Sequence, residues 1–398
     1  MIKPSSGADM EPFFLDPFPS NYVLKSLPLR FDGVDLTLKV SHALFSAHQI
    51  DEGTLLLLKT LAQKRVELTG KALDCGCGTG PLALALAKRY SGLTVEARDR
   101  SALACSFTAE NARANRVAIE VKPALLGDTE EHSFDLVVAN IPAKAGPPVL
   151  RWWWRRLLAS VVPEGLAAVV VVAPLAEATL HDAQDAGWVL DLQEKTLRYA
   201  VYHFRRPAGA ASQDDPSAYP RHQQTLTDGR RMTTFWGLPN FDSLDYPLQT
   251  QARVLENLTK LKVDRVLVWE PGQGHSAVMV KASALTQCDL TVAGTDLLAL
   301  RATQHNVSCQ ALLVADFALL NGHLPPQDLI IMNWQSHPRV PWISSVQQTL
   351  KTLVSPRGRV VLSGTSTDMA RFLEQHRGFR LLDEAKWRGF RSLVLEKQ

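Results

Sequence analysis

Apolar positions in this chain follow two alternating patterns. Short continuous runs rich in Val, Ile and Leu, of which Val169–Val172 is the clearest, are separated by longer stretches with apolar residues three and four apart. A continuous β-branched run suits a strand buried on both faces of a sheet, and the three-and-four spacing suits helices packed upon it. In the first half the runs predict strands at about 71–75, 93–97, 118–122, 134–139, 166–173, 188–193 and 197–204. Between them the best-marked helix runs from Ser101, a good N-cap residue, to Asn115. Strictly alternating β and α predicts an open, mostly parallel, doubly wound α/β sheet. The last two of the seven strands have no helix between them, so the last runs antiparallel. Upstream, 29–40 alternates apolar and polar residues around Asp32-Gly33, which signals a hairpin. Residues 1–24, rich in Pro and Phe without a period, read as an arm.

The pattern then repeats. Residues 71–90 match 265–284, with Asp74 opposite Glu270 and Gly76 and Gly78 opposite Gly272 and Gly274. Segment 93–104 matches 290–301, with Asp99 opposite Asp296, and 134–146 matches 327–339, with Asn140 opposite Asn333. The pairs 157–174 with 350–365 and 187–196 with 378–387 complete the order. A period of about 190 residues is a tandem pair of domains and not a solenoid. The Ala-, Ser-, Asp- and Pro-rich stretch 207–224 is the expected linker, dividing a first domain, 1–206, from a second, 225–398. A weaker hairpin signal at 223–237, around Asp228-Gly229, opens the second copy.

Composition narrows the field without naming a function. The 398 residues include 46% hydrophobic and 21% charged, which fits globular domains and excludes collagen-like or wholly disordered chains. A net charge of +3 permits a polyanionic partner without requiring one. Five cysteines with no CxxC pair give neither a disulfide framework nor a zinc site, so no metal is expected. The longest apolar run, 166–173, is far short of the ~20 residues of a membrane span, and no signal peptide is visible. A cytoplasmic protein with no membrane partner is the expectation.

Chemistry concentrates where the first strand ends. Gly76, Gly78 and Gly80 let backbone approach a ligand and turn into a helix starting at Pro81. A dinucleotide fingerprint calls for Gly or Ala where Pro81 stands, and no Gly-Lys-Ser/Thr follows, so NAD and P-loop readings fail. Asp99, ending the second strand, is placed to accept hydrogen bonds from both hydroxyls of a ribose. The alternatives are a purely steric turn for the glycines and a helix-capping role for Asp99.

Asp-Cys-Gly-Cys-Gly-Thr-Gly at 74–80, Asp99, and Phe-Asp-Leu-Val-Val-Ala-Asn at 134–140 together resemble class I S-adenosylmethionine-dependent methyltransferases. The segment 45–61 is similar to the one that precedes the glycine motif in the tandem ribosomal RNA guanine-N2 methyltransferases. The resemblance implies two seven-stranded sheets of class I type, one of them degenerate, and the residues of the second copy mark it as that one. It places Asp74, Gly76, Gly78, Gly80, Asp99, Asp128, Asn140 and Thr54 around S-adenosylmethionine. It also implies RNA, ribosomal RNA or a ribosomal particle, as partner. Amine methyltransferases of this family carry Asn-Pro-Pro-aromatic after the fourth strand, and this chain has Asn140-Ile141-Pro142-Ala143. Asn140, Ile141 and Pro142 are therefore the candidate catalytic positions, with the stacking ring replaced by Ala143. In the family as resembled the first half is the degenerate one; here the order is reversed, since the second copy has Ser276 in line with Gly80.

The run Arg151-Trp152-Trp153-Trp154-Arg155-Arg156 adds a candidate substrate surface, Trp152 with Arg151 and Arg155. Successive helical residues are ~100° apart, so at least one of the three rings is expected to be exposed or at a domain interface. Three functions stay open at this point: an RNA amine methyltransferase, a methyltransferase acting on a small molecule or protein, and a non-catalytic binding protein.

Overall fold

The computed structural model describes residues 18–398, except 64–67, 211–215, 227–228, 241, 259–262, 283–286, 335–339 and 341. Most of the expected N-terminal arm, Asp228 of the second hairpin signal and the middle of the linker lie outside the described residues. Two compact units emerge, Phe18–Pro220 and Arg221–Gln398.

The first unit opens with a hairpin, β1 (Lys25–Phe31) and β2 (Val34–Val40), closed by Asp32 and Gly33. Both turn residues have positive φ (39° and 83°), as a primed two-residue turn requires. There follow α1 (Glu52–Gln63), β3 (Gly70–Cys75), α2 (Pro81–Arg89), β4 (Leu93–Asp99), α3 (Ala102–Asn115) and β5 (Glu120–Pro123). The chain continues with β6 (Phe134–Asn140), α4 (Pro147–Ser160), β7 (Val161–Val172), α5 (Ala176–Asp185), β8 (Val189–Lys195) and β9 (Tyr199–Arg205). The seven strands from β3 onward order as β5-β4-β3-β6-β7-β9-β8. All pairs are parallel except those of β9, which runs antiparallel to β7 and β8. The order reverses between β3 and β4 on one side and β6 on the other. The carboxyl ends of β3, β4 and β6 therefore face a switch-point crevice, where such sheets bind ligands.

The second unit repeats this design. Its strands are β10 (Pro220–Thr225), β11 (Arg231–Phe235), β12 (Arg265–Trp269), β13 (Asp289–Gly294), β14 (Gln310–Leu313), β15 (Gln327–Asn333), β16 (Val354–Thr365), β17 (Phe379–Trp387) and β18 (Phe390–Lys397). Its helices are α6 (Tyr246–Asn257), α7 (His275–Ala282), α8 (Leu297–Asn306), α9 (Trp342–Leu353) and α10 (Ser366–Gln375). The sheet order, β14-β13-β12-β15-β16-β18-β17, is that of the first unit. The end of the stretch expected as linker, 220–224, is strand β10.

One buried pin is repeated as well. In the first unit Asn111 accepts from Lys39 N (2.8 Å) and donates to Lys39 O (3.0 Å) and Thr79 O (2.9 Å), tying α3 to the hairpin and to the glycine loop. In the second, Asn306 accepts from Thr233 N (2.8 Å) and donates to Thr233 O (2.9 Å) and Gln273 O. Backbone groups left without partners in such places cost free energy individually. Asn111→Ala is expected to lower stability by about 3 kcal/mol, read as a shift in the denaturation midpoint, with Asn306→Ala acting comparably.

Candidate active site

The glycine loop takes its shape from three left-handed residues. Gly76, Gly78 and Gly80 have φ of 86°, 59° and 88°, where a side chain is strained. A Cβ at Gly76 or Gly78 would meet nothing within 4 Å, so these two border open space. At Gly80 it would strike Leu84 and Thr108, which is a packing reason. Pro81 begins α2 as expected.

Two carboxylates flank the loop. Asp99 accepts from Gly78 N through Oδ2 (3.0 Å) and from Ser101 N through Oδ1 (2.8 Å). The helix α3 is capped by Ser101, whose Oγ accepts from Ala104 N. Asp74 is fully buried: Oδ2 accepts from Ala83 N at 3.0 Å, while Oδ1 has no partner among the described residues. Burial pushes its carboxyl up to about 7, the Ala83 N–H opposes this, and the Asp99 charge adds to it. An orphaned carboxylate oxygen beside a bare-backbone loop is built to receive a cation or a donor.

Asn140 ends β6. Register pairs Asp74 with Val138, which brings Asn140 alongside Gly76. Its Nδ2 donates to Asp51 Oδ2 (2.9 Å) and to Thr54 Oγ1 (3.1 Å). An ionised carboxylate only accepts, so the amide has one sensible orientation, with Oδ1 turned away and available. Asp51 is itself held, by Thr54 N at 3.0 Å and by Tyr199 Oη at 3.0 Å. Burial and the Asp51 bond raise the Tyr199 phenol above its ordinary value, which keeps it a donor. Gly53 is required between them, since a Cβ there would lie 2.7 Å from Tyr199 Cδ1 and 2.8 Å from Asp51 Oδ2. Thr54, expected beside a cofactor, stands against Asn140. Sequence reasoning missed Asp51 and Tyr199. The Asp three residues before Thr54 was a usable helix-cap signal, whereas nothing linked Tyr199 to residues 148 positions away.

Ile141 is buried, its N–H donating to Val170 O at 2.9 Å, while Pro142 and Ala143 are exposed. Asp128 lies in the loop after β5, where Oδ2 accepts from Leu125 N (3.0 Å).

The tryptophan run departs from expectation. Trp152, Trp153 and Trp154 are 9%, 1% and 1% exposed, so none offers an open stacking face. α4 is covered on more sides than a two-layer packing would allow. Trp154 packs on Trp188 and Phe204, while Trp152 meets Tyr219 edge-on at 5.9 Å and lies over Gly127. Arg151 and Arg155 pair with Asp182 (3.4 Å) and Asp185 (3.6 Å), the first on α5 and the second at its end.

Strand register also corrects the alignment of the second copy. Glu270 N–H bonds Ala293 O as Gly76 N–H bonds Arg98 O, so Glu270 stands in the place of Gly76. Val268 then replaces Asp74, and Gly294 replaces Asp99. Asp296, matched to Asp99 by letter, caps α8 through Leu298 N (3.0 Å), the task of Ser101. Gly274, and not Ser276, is the counterpart of Gly80: each donates to the carbonyl three residues back and accepts from the residue four ahead. Asn333 does correspond to Asn140, but its Oδ1 is taken by Gln251 Nε2 at 3.0 Å, and Gln251 is fully buried and bonded to Ser276. Among the described residues no His, Cys, Asp and Glu group could hold a metal ion, and no helix is long and apolar enough to cross a membrane.

Residues 35–165 match the family model described as methyltransferase small domain. A ribosomal RNA small subunit methyltransferase C of Colwellia psychrerythraea is 36% identical over 123 residues, 31% of this chain and 33% of that protein. The same-named protein of Vibrio cholerae is 30% identical over 185 residues, 46% of this chain and 53% of its own length. The chain thus spans between a third and about half of the length of these curated relatives. A T. thermophilus 16S rRNA N2 methyltransferase, solved in complex with AdoMet and guanosine, superposes with a TM-score of 0.69. It is 18% identical, with 95% of this chain and 99% of that one covered, so both tandem sheets share its fold.

The raised Asp74 carboxyl has a pH signature. Between about pH 4 and 7 the unfolded chain releases a proton that the folded chain retains, so stability falls as pH rises through that window and levels off above it. Buried Glu270, pushed up to about 7 by desolvation, acts in the same direction. Asp74→Asn is expected to flatten part of this slope in thermal melts recorded from pH 4.5 to 8.5; an unchanged slope contradicts the assignment.

Proposed function

We propose that the first unit is an S-adenosylmethionine-dependent methyltransferase acting on an exocyclic amine of RNA, guanine N2 of ribosomal RNA within a ribosomal particle. The observation that carries this is the amide of Asn140, locked by Asp51 and Thr54 with its oxygen outward beside the glycine loop. The relatives' names supply the RNA and the ribosome.

The crevice residues fit the cofactor. Gly76 and Gly78 leave room for its methionine part, the free oxygen of Asp74 suits its ammonium, and the Asp99 carboxylate, at the end of β4 beside the loop, suits the ribose hydroxyls. When bound, the cofactor supplies an electrophilic methyl group on a sulfonium. An exocyclic amine is a poor nucleophile because its lone pair is delocalised into the base. Asn140 Oδ1 accepts one amine hydrogen and a backbone carbonyl of the Asn140-Ile141-Pro142 segment accepts the other, turning the lone pair out of the ring plane toward the methyl. Positive charge growing on that nitrogen meets the negative ends of carbonyl dipoles already in place. The Asp51 carboxylate, bonded to the far side of the same amide, polarises Oδ1 further. No general base is required, since holding two reactants in line supplies most of the acceleration.

A second reading, a small-molecule or protein substrate, is favoured by Ala143, which leaves no ring at the usual stacking position. Phosphate contacts make RNA affinity fall steeply with salt, and a small neutral substrate gives a flat profile.

Asp99→Ala is expected to weaken cofactor binding at least tenfold by calorimetry. Asn140→Ala and Asp51→Asn are expected to leave that binding within twofold while cutting methyl transfer to ribosomal RNA at least a hundredfold and about tenfold. Unchanged transfer in Asn140→Ala sinks the proposal. Near pH 6 cofactor binding is expected to release protons from Asp74, seen as a buffer-dependent binding enthalpy that vanishes at pH 8.5 and in Asp74→Asn.

A further inference from the structure

The second unit has lost its cofactor side and kept its acceptor side. Val268 and Gly294 replace both flanking carboxylates, and Glu270, where Gly76 stands in the first copy, bonds Thr295 across the crevice (2.9 Å). Yet a cleft of about 370 Å3 remains where the Asn140 site lies in the first unit. The correspondence runs residue by residue. Asp245 caps α6 through Leu248 N as Asp51 bonds Thr54 N at the start of α1. Phe390 pairs with Thr365 as Tyr199 pairs with Val172. Trp334 N–H bonds Ser363 O as Ile141 N–H bonds Val170 O.

The walls of this cleft differ from the first copy in one consistent way, which is added aromatic surface. Trp334 stands for Ile141 and Tyr246 for Glu52, with Phe390 opposite them in the lining. Trp334 ends a column of rings. It stacks on Trp342 (5.0 Å, 27°), Trp342 on Phe372 (6.0 Å, 13°), and Phe372 on His376 (6.1 Å, 16°). A planar ligand in the cleft extends a stack that is already rigid. The Trp334 Nε1–H is buried without an acceptor among the described residues. Two carboxylates, Asp245 and Asp368, line the same space. The Asp368 carboxylate accepts from Thr365 Oγ1, whereas each Asp245 oxygen accepts a single bond, from Asn240 Nδ2 (3.1 Å) or from Leu248 N (3.0 Å), and keeps a second lone pair. Beside the lining, Arg388 donates to Tyr246 Oη (2.9 Å) and lies over the rings of Tyr246 (5.4 Å) and Trp387 (5.6 Å). Stacking faces, acceptors for an amino edge and an adjacent guanidinium are the chemistry of an unpaired nucleotide site.

We infer that the second unit binds an unstacked guanine nucleotide in this cleft without methylating it, its ring against Trp334, its amino edge on Asp245, and its phosphate at Arg388. That the nucleotide belongs to RNA rests on the proposed function; the pocket does not.

The test uses the full chain, with no S-adenosylmethionine present and with Asn140→Ala to silence the first site. Titration with guanosine 5′-monophosphate is expected to show one saturable site, with uridine 5′-monophosphate binding at least tenfold more weakly. Trp334→Ala or Asp245→Asn is expected to weaken guanosine monophosphate at least tenfold, and Trp334→Phe to restore most of it. Circular dichroism melts distinguish loss of a ligand contact from loss of fold. No saturable binding to folded protein, or affinity indifferent to both Trp334→Ala and Asp245→Asn, overturns the inference. Short single-stranded oligonucleotides with and without guanine separate the sources. Tighter, guanine-dependent, salt-sensitive binding supports RNA, and binding of the free nucleotide alone overturns that part. Absent methyl transfer with the second site intact overturns only the proposed function.

Discussion

A primary amide can face either way, and what the first unit does depends on which way Asn140 faces. Its NH2 meets the acceptor-only carboxylate of Asp51, which is held in turn by the Thr54 N–H and the Tyr199 hydroxyl. Reversing the amide would set two acceptors against each other. The outward oxygen is therefore fixed before any ligand arrives, and a preset dipole needs no reorganisation at the moment of reaction. The second copy shows the alternative outcome on the same backbone. There Gln251 occupies the oxygen of Asn333, and a run of buried hydroxyls, Ser276, Ser363, Ser392 and Thr250, completes the network. One asparagine is presented and the other is consumed.

The duplicated fold makes this comparison unusually direct, because both copies share strand order, antiparallel last strand and the Asn111 or Asn306 pin. Divergence falls where ligands would bind. Asp74 and Asp99 are replaced by Val268 and Gly294, while the glycines that shape the turn, Gly78 and Gly80, persist as Gly272 and Gly274 with similar φ. Turn geometry is demanded by the fold, whereas the unpartnered oxygen of buried Asp74 is a cost to stability that the fold does not demand.

Much of this was legible in the sequence. The apolar runs located the seven strands of the first unit to within a few residues, except that β7 begins at Val161, ahead of its continuous run. Ser101 capped its helix, and the glycine loop fell at the switch point. Three things were not legible, each for a physical reason. Matching letters set Asp296 opposite Asp99, but correspondence is decided by strand register, which places Asp296 with Ser101. Three successive tryptophans were expected to leave at least one exposed or at a domain interface, because a helix on a sheet usually has an open side; within the first unit α5, Tyr219 and the Gly127 loop cover them. The Asp51–Tyr199 bond joins residues too distant in sequence for any periodicity to connect.

The central claim concerns the direction of one amide, and a crystal structure of the chain with S-adenosylmethionine and guanosine bound measures it directly. The account predicts Asn140 Oδ1 within about 3 Å of the exocyclic amine, with Nδ2 still on Asp51 and the cofactor ribose on Asp99. An amine facing Nδ2, or guanosine seated away from Asn140, would contradict it.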